Sequence, residues 1–476
     1  MSAHVRTKSI ADLIVEYFQS FKVLKETGKE YWGVQIVNFL DCTIYFALIS
    51  IASIFLSDDI GMNDKDAGYV ITVFTSATTI FLFFSGMFTD WLGIRKSLYI
   101  AMGGSLILRA GVALIGLVDT IPHRGIIVTV LFFLMAPIMA MIQTVFQAAN
   151  KRFTTKRSRS AGFSLWYLFM NVGAAAGGFL IDIVRQGFEV SNAHIFTVGA
   201  VAAFICGFVV LILIRTEEPY ELAEEGKEKE TKKVERKNPF QIAREVVSEA
   251  TFWRFVVLVA LLLGVRAVFT YMYLLMPKYW VRTIGEGAYI GVLQAINPIL
   301  IVIGIILFIP FANRYNIFKM LVYGSMVSAV SLFVMVIPWR MISGDIATAH
   351  YVMSISMLII LSVGEVIWSP KLSEYTAAIA PDGQEGTYLG LSMVPWFLTK
   401  VIISALSGHM LTRWSPEGIG EKLQADAVAF WDSPAAMWLI LAIFALAGPI
   451  IALLLRGWLT KGARWKTEET LAEATA

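Results

Sequence analysis

The sequence predicts an all-α membrane protein with twelve transmembrane helices in two six-helix bundles. Three observations carry that expectation. Of the 476 positions, 57% are hydrophobic and only 16% charged, with a mean hydropathy of +0.68, whereas soluble domains carry about 25% charged residues. Twelve apolar runs of about twenty residues follow one another, each long enough to cross a hydrocarbon layer about 30 Å thick. A Glu- and Lys-rich stretch separates the first six runs from the last six.

Residues 1–31 form a polar and then amphipathic N-terminal segment. Ile10, Leu13, Ile14, Tyr17, Phe21 and Leu24 share one helical face, with Glu16, Lys22 and Lys25 off it. That pattern fits a helix lying along the membrane surface, or one packed against the bundle. The first bundle covers 32–215, with spans near 32–56, 68–88, 97–118, 126–149, 160–184 and 194–215. Residues 216–250 are a solvated linker, poor in apolar residues. Within it, Asn238-Pro239 reads as an N-cap followed by proline at the first helical position. The second bundle covers 251–457, with spans near 251–280, 288–311, 319–339, 349–370, 386–411 and 435–457. A polar tail, 458–476, closes the chain.

The connections sort by charge. One side carries Arg95, Lys96, Lys151, Arg152, Lys156, Arg157 and Arg159, then the linker, Arg314, Lys319, Lys371 and the tail's Arg456, Lys461, Arg464 and Lys466. The other side carries Asp58, Asp59, Asp64 and Asp66. The excess of Lys and Arg on one side places both termini in the cytoplasm. Net charge +3 is too small to imply nucleic acid. Cys42 and Cys206 lie inside apolar runs and form no disulfide or metal pattern. No Ser-His-Asp, zinc or phosphate-cradling motif is present, so neither an enzyme nor a cofactor is expected. The expected partners are a small-molecule solute, protons and the lipid bilayer, and a monomer is expected.

A charge near the bilayer centre costs several kcal/mol, so intramembrane ionisable residues are functional candidates. Five occur: Asp41, Arg109, Arg266, Glu365 and Lys400. Their formal sum is one surplus positive charge, which favours an anionic ligand. Glu365 is the best proton-carrier candidate and Asp41 the next, because a carboxylate in an apolar wall gains affinity for protons. Asp41 and Arg109 tying spans together, and Lys400 reaching for the interface, are the competing readings. His123, His194, His350 and His409 fall at or near span ends. Gln143, Gln147 and Asn150 lie about one turn apart. With Asn171, Gln294 and Asn297 they can complete a polar cavity or bond between helices. Tyr271, Tyr273, Trp368 and Trp396 can floor that cavity, although packing is the commoner use of such rings. Gly173-Ala-Ala-Ala-Gly177-Gly178 reads as a close-packing strip. Pro137, Pro298, Pro370 and Pro395 are positions where a span can kink or break.

The stretch Gly86-Met-Phe-Thr-Asp90-Trp-Leu-Gly93-Ile-Arg95-Lys96 joins the second and third spans. Gly86 permits close helix approach, Asp90 can cap the following helix, Gly93 permits a tight turn, and Arg95 and Lys96 fix the charge of that face. This stretch resembles the corresponding loop of the major facilitator superfamily, with Trp91 where a basic residue is usual. The resemblance implies the major facilitator fold and a conformational latch at Gly86, Asp90, Gly93, Arg95 and Lys96. In that superfamily spans one, four, seven and ten line the path, which puts Asp41, Arg266 and Glu365 on path-lining spans.

Two further stretches are similar to signatures of the proton-dependent oligopeptide transporter family. They are Ala161–Gly173, with Tyr167 and Asn171 as pocket matches, and Gly364-Glu365-Val-Ile-Trp-Ser369-Pro370. Gly386-Thr-Tyr-Leu-Gly390-Leu is similar as well. In that family the tenth-span glutamate lies near the peptide's amino end, a role that falls here on Glu365. The family's first-span E-x-x-E-R motif is absent, replaced by Asn38-Phe-Leu-Asp41-Cys-Thr, and Gln143 and Gln147 occupy the region of its fourth-span lysine. The resemblance implies a secondary active transporter of the inner membrane. It would move a small, carboxylate-bearing or peptide-like solute by alternating access in proton symport. Proton-driven efflux of amphipathic drugs or lipid-like solutes is the alternative within transport. A nontransporting receptor or scaffold is the alternative outside it.

Overall fold

The computed structural model describes residues 15, 18–155, 157–215, 248, 250–312, 315–379 and 385–460. The side chains at 83, 87, 90, 160, 250, 251, 255, 309–312 and 373–398 are not among those described. The linker with Asn238-Pro239, most of the N-terminal segment, Arg314 and the tail from 461 lie outside the described residues.

Backbone N–H and C=O groups in hydrocarbon must be satisfied internally, so each apolar run becomes a helix. In order these are α1 Lys29–Ile54, α2 Asp64–Leu92, α3 Ile94–Leu117, α4 Arg124–Arg152, α5 Arg159–Asp182 and α6 Ala193–Leu213. The second half has α7 Ala250–Leu261, α8 Leu263–Leu274, α9 Met276–Ile284, α10 Ile290–Ala312, α11 Ile317–Val330, α12 Ile346–Ile379, α13 Glu385–Trp414 and α14 Pro434–Leu454. Among the described residues nine helices are long and apolar enough to cross a membrane, ten if α7 and α8 count as one bent span. With α2 and α13, of 29 and 30 residues, the order accommodates twelve.

Two sequence expectations need correcting, and a third point left open is narrowed. Of the kinks or breaks expected at proline, no break occurs: Pro137, Pro298, Pro370 and Pro395 sit inside continuous helices. The seventh span is broken instead, bent by 45° between α7 and α8 and interrupted again at Leu275, just before Pro277. The physical reason is that neighbouring groups in a transmembrane bundle can re-satisfy the carbonyl a proline frees, while Pro277 fits the first turn of α9. Asp90 does not occupy the N-cap position expected of it. Helix α2 runs on through Leu92, and the N-cap of α3 is Gly93, at φ 81°. In the N-terminal segment, Phe21–Glu26 forms a short 3-10 turn with Leu24 buried, which matches packing against the bundle better than lying on a surface.

In the first half α1 packs on α5 and α6, α2 on α4, and α3 on α4 and α6. In the second, α12 packs on α10 and α11, while α8 packs on α13 and α14. The halves meet along α5–α10 and α2–α13. Both seams are glycine contacts, as close packing without a hydrophobic drive requires. A Cβ on Gly291 would lie 1.8 Å from the Gly178 oxygen, and one on Gly408 would lie 2.3 Å from the Asp64 oxygen. The remainder of the glycine strip, Gly173 and Gly177, abuts the α1 backbone at Phe39 and Thr43.

Candidate functional site

Asn38, Asp41 and Tyr45 recur at helical spacing on one face of α1 and turn into a cavity of about 400 Å³ between the halves. The first half supplies Phe46, Gln143 and Gln147 to its wall, and the second supplies Phe269, Thr270, Tyr273 and Lys400. A volume in this range suits a small organic ligand. Most of the wall is apolar, with Ile142, Phe146 and Met170 among its members.

Asp41 does not stand alone. Its Oδ1 accepts from Arg109 Nη2 at 2.7 Å. Arg109 is fully buried and donates from Nη1 to the Gly199 oxygen at 3.3 Å. Gly199 leaves the room: a Cβ there would lie 3.2 Å from Arg109 Cδ. The pair ties α1, α3 and α6 together, with only the carboxylate on the cavity side.

Glu365 is held differently. Its Oε2 accepts from Asn297 Nδ2 at 2.9 Å, and the same amide donates to Ser362 Oγ at 3.0 Å. Glu365 forms no ion pair among the described residues, although Arg266, Tyr167 and Tyr273 lie within electrostatic reach. The Arg266 guanidinium stands 5.6 Å from the centre of the Trp368 ring, a cation–π distance. Trp368 in turn donates to Ser328 Oγ at 3.2 Å and packs against Phe269.

The structure therefore places Asp41, Gln143, Gln147 and Lys400 on the cavity wall, with Glu365, Arg266 and Asn297 forming a second polar group in the other half. Arg109 lies behind the wall. Gln294 donates to the Met272 oxygen at 2.6 Å, and Asn171 to the Tyr167 oxygen at 2.9 Å within its own helix. Tyr271 points away from the cavity, into a groove bounded by α13 and α14. The Trp396 side chain is outside the described set. Sequence reasoning missed Tyr45, Phe46, Phe146, Trp166 and Phe269. Only Tyr45 had a usable signal, lying one turn after Asp41.

A family model described as Major Facilitator Superfamily matches residues 34–404. The chain belongs to the Major Facilitator Superfamily. It is a multi-pass integral membrane transporter of that family. It is 23% identical over 357 residues to a protein of Bacillus subtilis (strain 168) described as an uncharacterized MFS-type transporter, YqjV, covering 72% of this chain and 77% of that one. Among solved structures it is similar to a peptide transporter of the POT family in complex with sulfate (15% identity, TM-score 0.66, 92% and 96% of the two chains covered). It is also similar to a chain from a study of proton-dependent oligopeptide transporters (15%, 0.68, 91% and 99%) and to a D-xylose–proton symporter (12%, 0.67, 92% and 98%). At these identities the likeness shows the fold.

In this major facilitator chain the contacts between halves gather at the end far from the termini. Asp64 of α2 accepts from Arg282 at 2.8 and 2.9 Å and from Lys278 Nζ at 2.5 Å, both on α9. Lys278 also bonds Ser57, and Arg282 also bonds the Ser415 oxygen. Asp182, at the end of α5, accepts from the N–H groups of Gly291 and Val292 at 2.8 and 2.7 Å. It thus caps the first turn of α10 from across the interface. Tyr69 and His409 meet at 3.0 Å on the α2–α13 seam. At the other end, in the loop likened to the superfamily latch, Gly93 takes positive φ, Lys96 is exposed, and Arg95 lies over the Tyr99 ring. Among the described residues, a Cβ on Gly86 would meet Thr144 at an ordinary 3.8 Å. The Asp90 side chain is outside the described set.

Proposed function

We infer that the protein is a secondary active transporter that moves a small solute by alternating access, in symport with protons, through the cavity between its two halves. The observation that carries this reading is the cavity itself. It lies between the two helix bundles, displays Asp41 and Lys400, and sits beneath an end sealed by cross-half ion pairs. Arg109 balances Asp41, and Lys400 adds a cationic side chain to the wall, which favours a carboxylate-bearing or peptide-like solute. The neighbours named for peptide and sugar–proton transport support the same class of activity. Glu365 is assigned proton coupling, because a carboxylate held by a neutral amide can gain a proton without abandoning a cation. The sealed end faces outward from an inner membrane, with both termini in the cytoplasm, and the loop carrying Asp90, Arg95 and Lys96 latches the opposite conformation.

The mostly apolar wall favours a second reading, proton-driven efflux of amphipathic or lipid-like solutes. Reconstituted vesicles separate the two by direction. Under an inward proton gradient, uptake of a carboxylate or peptide that stops in Glu365→Gln supports symport. Accumulation that persists in that variant removes Glu365 from coupling, and extrusion of an amphipathic dye supports efflux.

A further inference from the structure

A second, larger cavity lies on the opposite side of the α8–α13 wall. It is a groove of about 800 Å³ between α8, α13 and α14 that reaches Lys65 at the start of α2. Neighbouring residues divide the two spaces: Lys400 faces the central cavity and Thr399 the groove. The groove's walls are apolar and face the surroundings, with Ile402 57% and Phe444 59% exposed. In a membrane transporter such a surface meets acyl chains.

The groove also has a polar rim. Arg413, in the last turn of α13, and Lys65, in the first turn of α2, stand together at the sealed end. Arg413 is paired with Asp432 at 2.5 Å. Lys65 has no ion-pair partner among the described residues. His409 is joined to the Tyr69 hydroxyl, and Asp64 is held by Lys278 and Arg282. Of the charged residues lining the groove, Arg413 is paired and Lys65 is not, while Asp66, beside Lys65 in the chain, is turned to Asn63 outside the lining. Depth decides what fits below the rim. From Arg413 to Ile402 the helix rises about 17 Å at 1.5 Å per residue, close to one leaflet, about half of a 30 Å core.

We propose that this groove is a binding site for one anionic phospholipid of the leaflet at the sealed end. Its phosphate lies at Lys65 and Arg413, and one acyl chain runs along Leu406, Ile402 and Phe444. A zwitterionic headgroup would bring an ammonium to the same cations, so the site discriminates by net charge. Lys65 belongs to one half and the rest of the groove to the other, astride the Gly68–Gly408 contact. The lipid thus binds the sealed conformation more tightly than one in which the halves part there, and shifts the population toward it.

Native mass spectrometry of the full-length protein in detergent, titrated with phosphatidylglycerol or phosphatidylcholine, tests this. The wild type is expected to retain one phosphatidylglycerol in preference to phosphatidylcholine. Lys65→Gln should weaken phosphatidylglycerol binding about fivefold, the effect of one cation near a membrane surface, and leave phosphatidylcholine unchanged. Leu406→Trp fills the groove without touching the rim and should displace both lipids while the protein's melting without added lipid stays within a few degrees. Equal retention of the two lipids, or retention by Leu406→Trp equal to the wild type, would overturn the proposal.

Discussion

Asp41 and Glu365 are both carboxylates within membrane-spanning helices, one in each half, yet they are held by opposite means. Asp41 faces the permanent charge of Arg109 across 2.7 Å inside a single bundle. Glu365 accepts a hydrogen bond from a neutral amide, Asn297, also inside a single bundle. Protonating Asp41 would strand a buried guanidinium, and the effective penalty for a buried unpaired ion is several kcal/mol. Protonating Glu365 exchanges one hydrogen-bonding state of a carboxyl for another. The first arrangement suits a structural tie with one polar face on the cavity, and the second suits a group that titrates during a transport cycle. Asp64 and Asp182 are a third kind, since their partners lie in the other half and their bonds must part if the sealed end opens.

Glu365→Gln should give the largest effect, because it keeps the Asn297 contact and removes only the titratable proton. Accumulation driven by a pH gradient should fall to background while counterflow exchange continues. Counterflow lost in parallel would make Glu365 a binding group and erase the contrast with Asp41. Next is the buried pair. Arg109→Leu should cost about 3–5 kcal/mol of stability by leaving Asp41 uncompensated, and the double change Asp41→Leu with Arg109→Leu should recover most of it. Melting of the purified protein measures both, and a double variant as unstable as the single one would deny the tie.

Smaller effects are expected where charges cross the interface. Asp64→Asn weakens two cation contacts at once, so labelling of Thr283→Cys, a buried position near the seal, by an impermeant thiol reagent should become several-fold faster. Unchanged labelling would mean that the Gly178–Gly291 and Gly68–Gly408 seams alone hold that end shut. The smallest effect belongs to Asp345, an exposed loop carboxyl outside the spans. The Thr348 N–H, donating at 2.8 Å, holds it below the usual carboxylate range. Its contribution is present above the ordinary carboxylate pKa and is lost as pH falls through the depressed value. Asp345→Asn should therefore leave melting near neutrality almost unchanged and flatten its acid dependence only below about pH 4.

Much of the fold was legible because hydrocarbon imposes a strong rule. Runs such as Ile126–Ala149 and Ala193–Leu213 have no alternative to helix, and their ends were read within a few residues. The seventh span was not legible as broken. Pro277, beside the second interruption, was the available signal, and nothing in the run placed a bend at Leu262. The candidate site was half legible. Asp41, Gln143, Gln147 and Lys400 announced themselves as polar groups in apolar surroundings, and they line the cavity. Arg109 announced itself equally loudly and faces away from it. Phe46, Phe146 and Phe269 gave no signal, because a ring on a cavity wall and a ring in a packed core have the same sequence.

The sequence by itself determined that this chain lies in a membrane, how many helices it can offer, and which charged groups they must carry into hydrocarbon. Those are properties of composition and period, and each is written in one segment at a time. Only the tertiary structure decided which charges meet. Asp41 and Arg109 are 68 positions apart, Asp64 and Arg282 are 218 apart, and Asp182 reaches the first turn of α10 from 109 positions away. Helix rotation and register set those encounters through packing of whole faces, which no local pattern encodes.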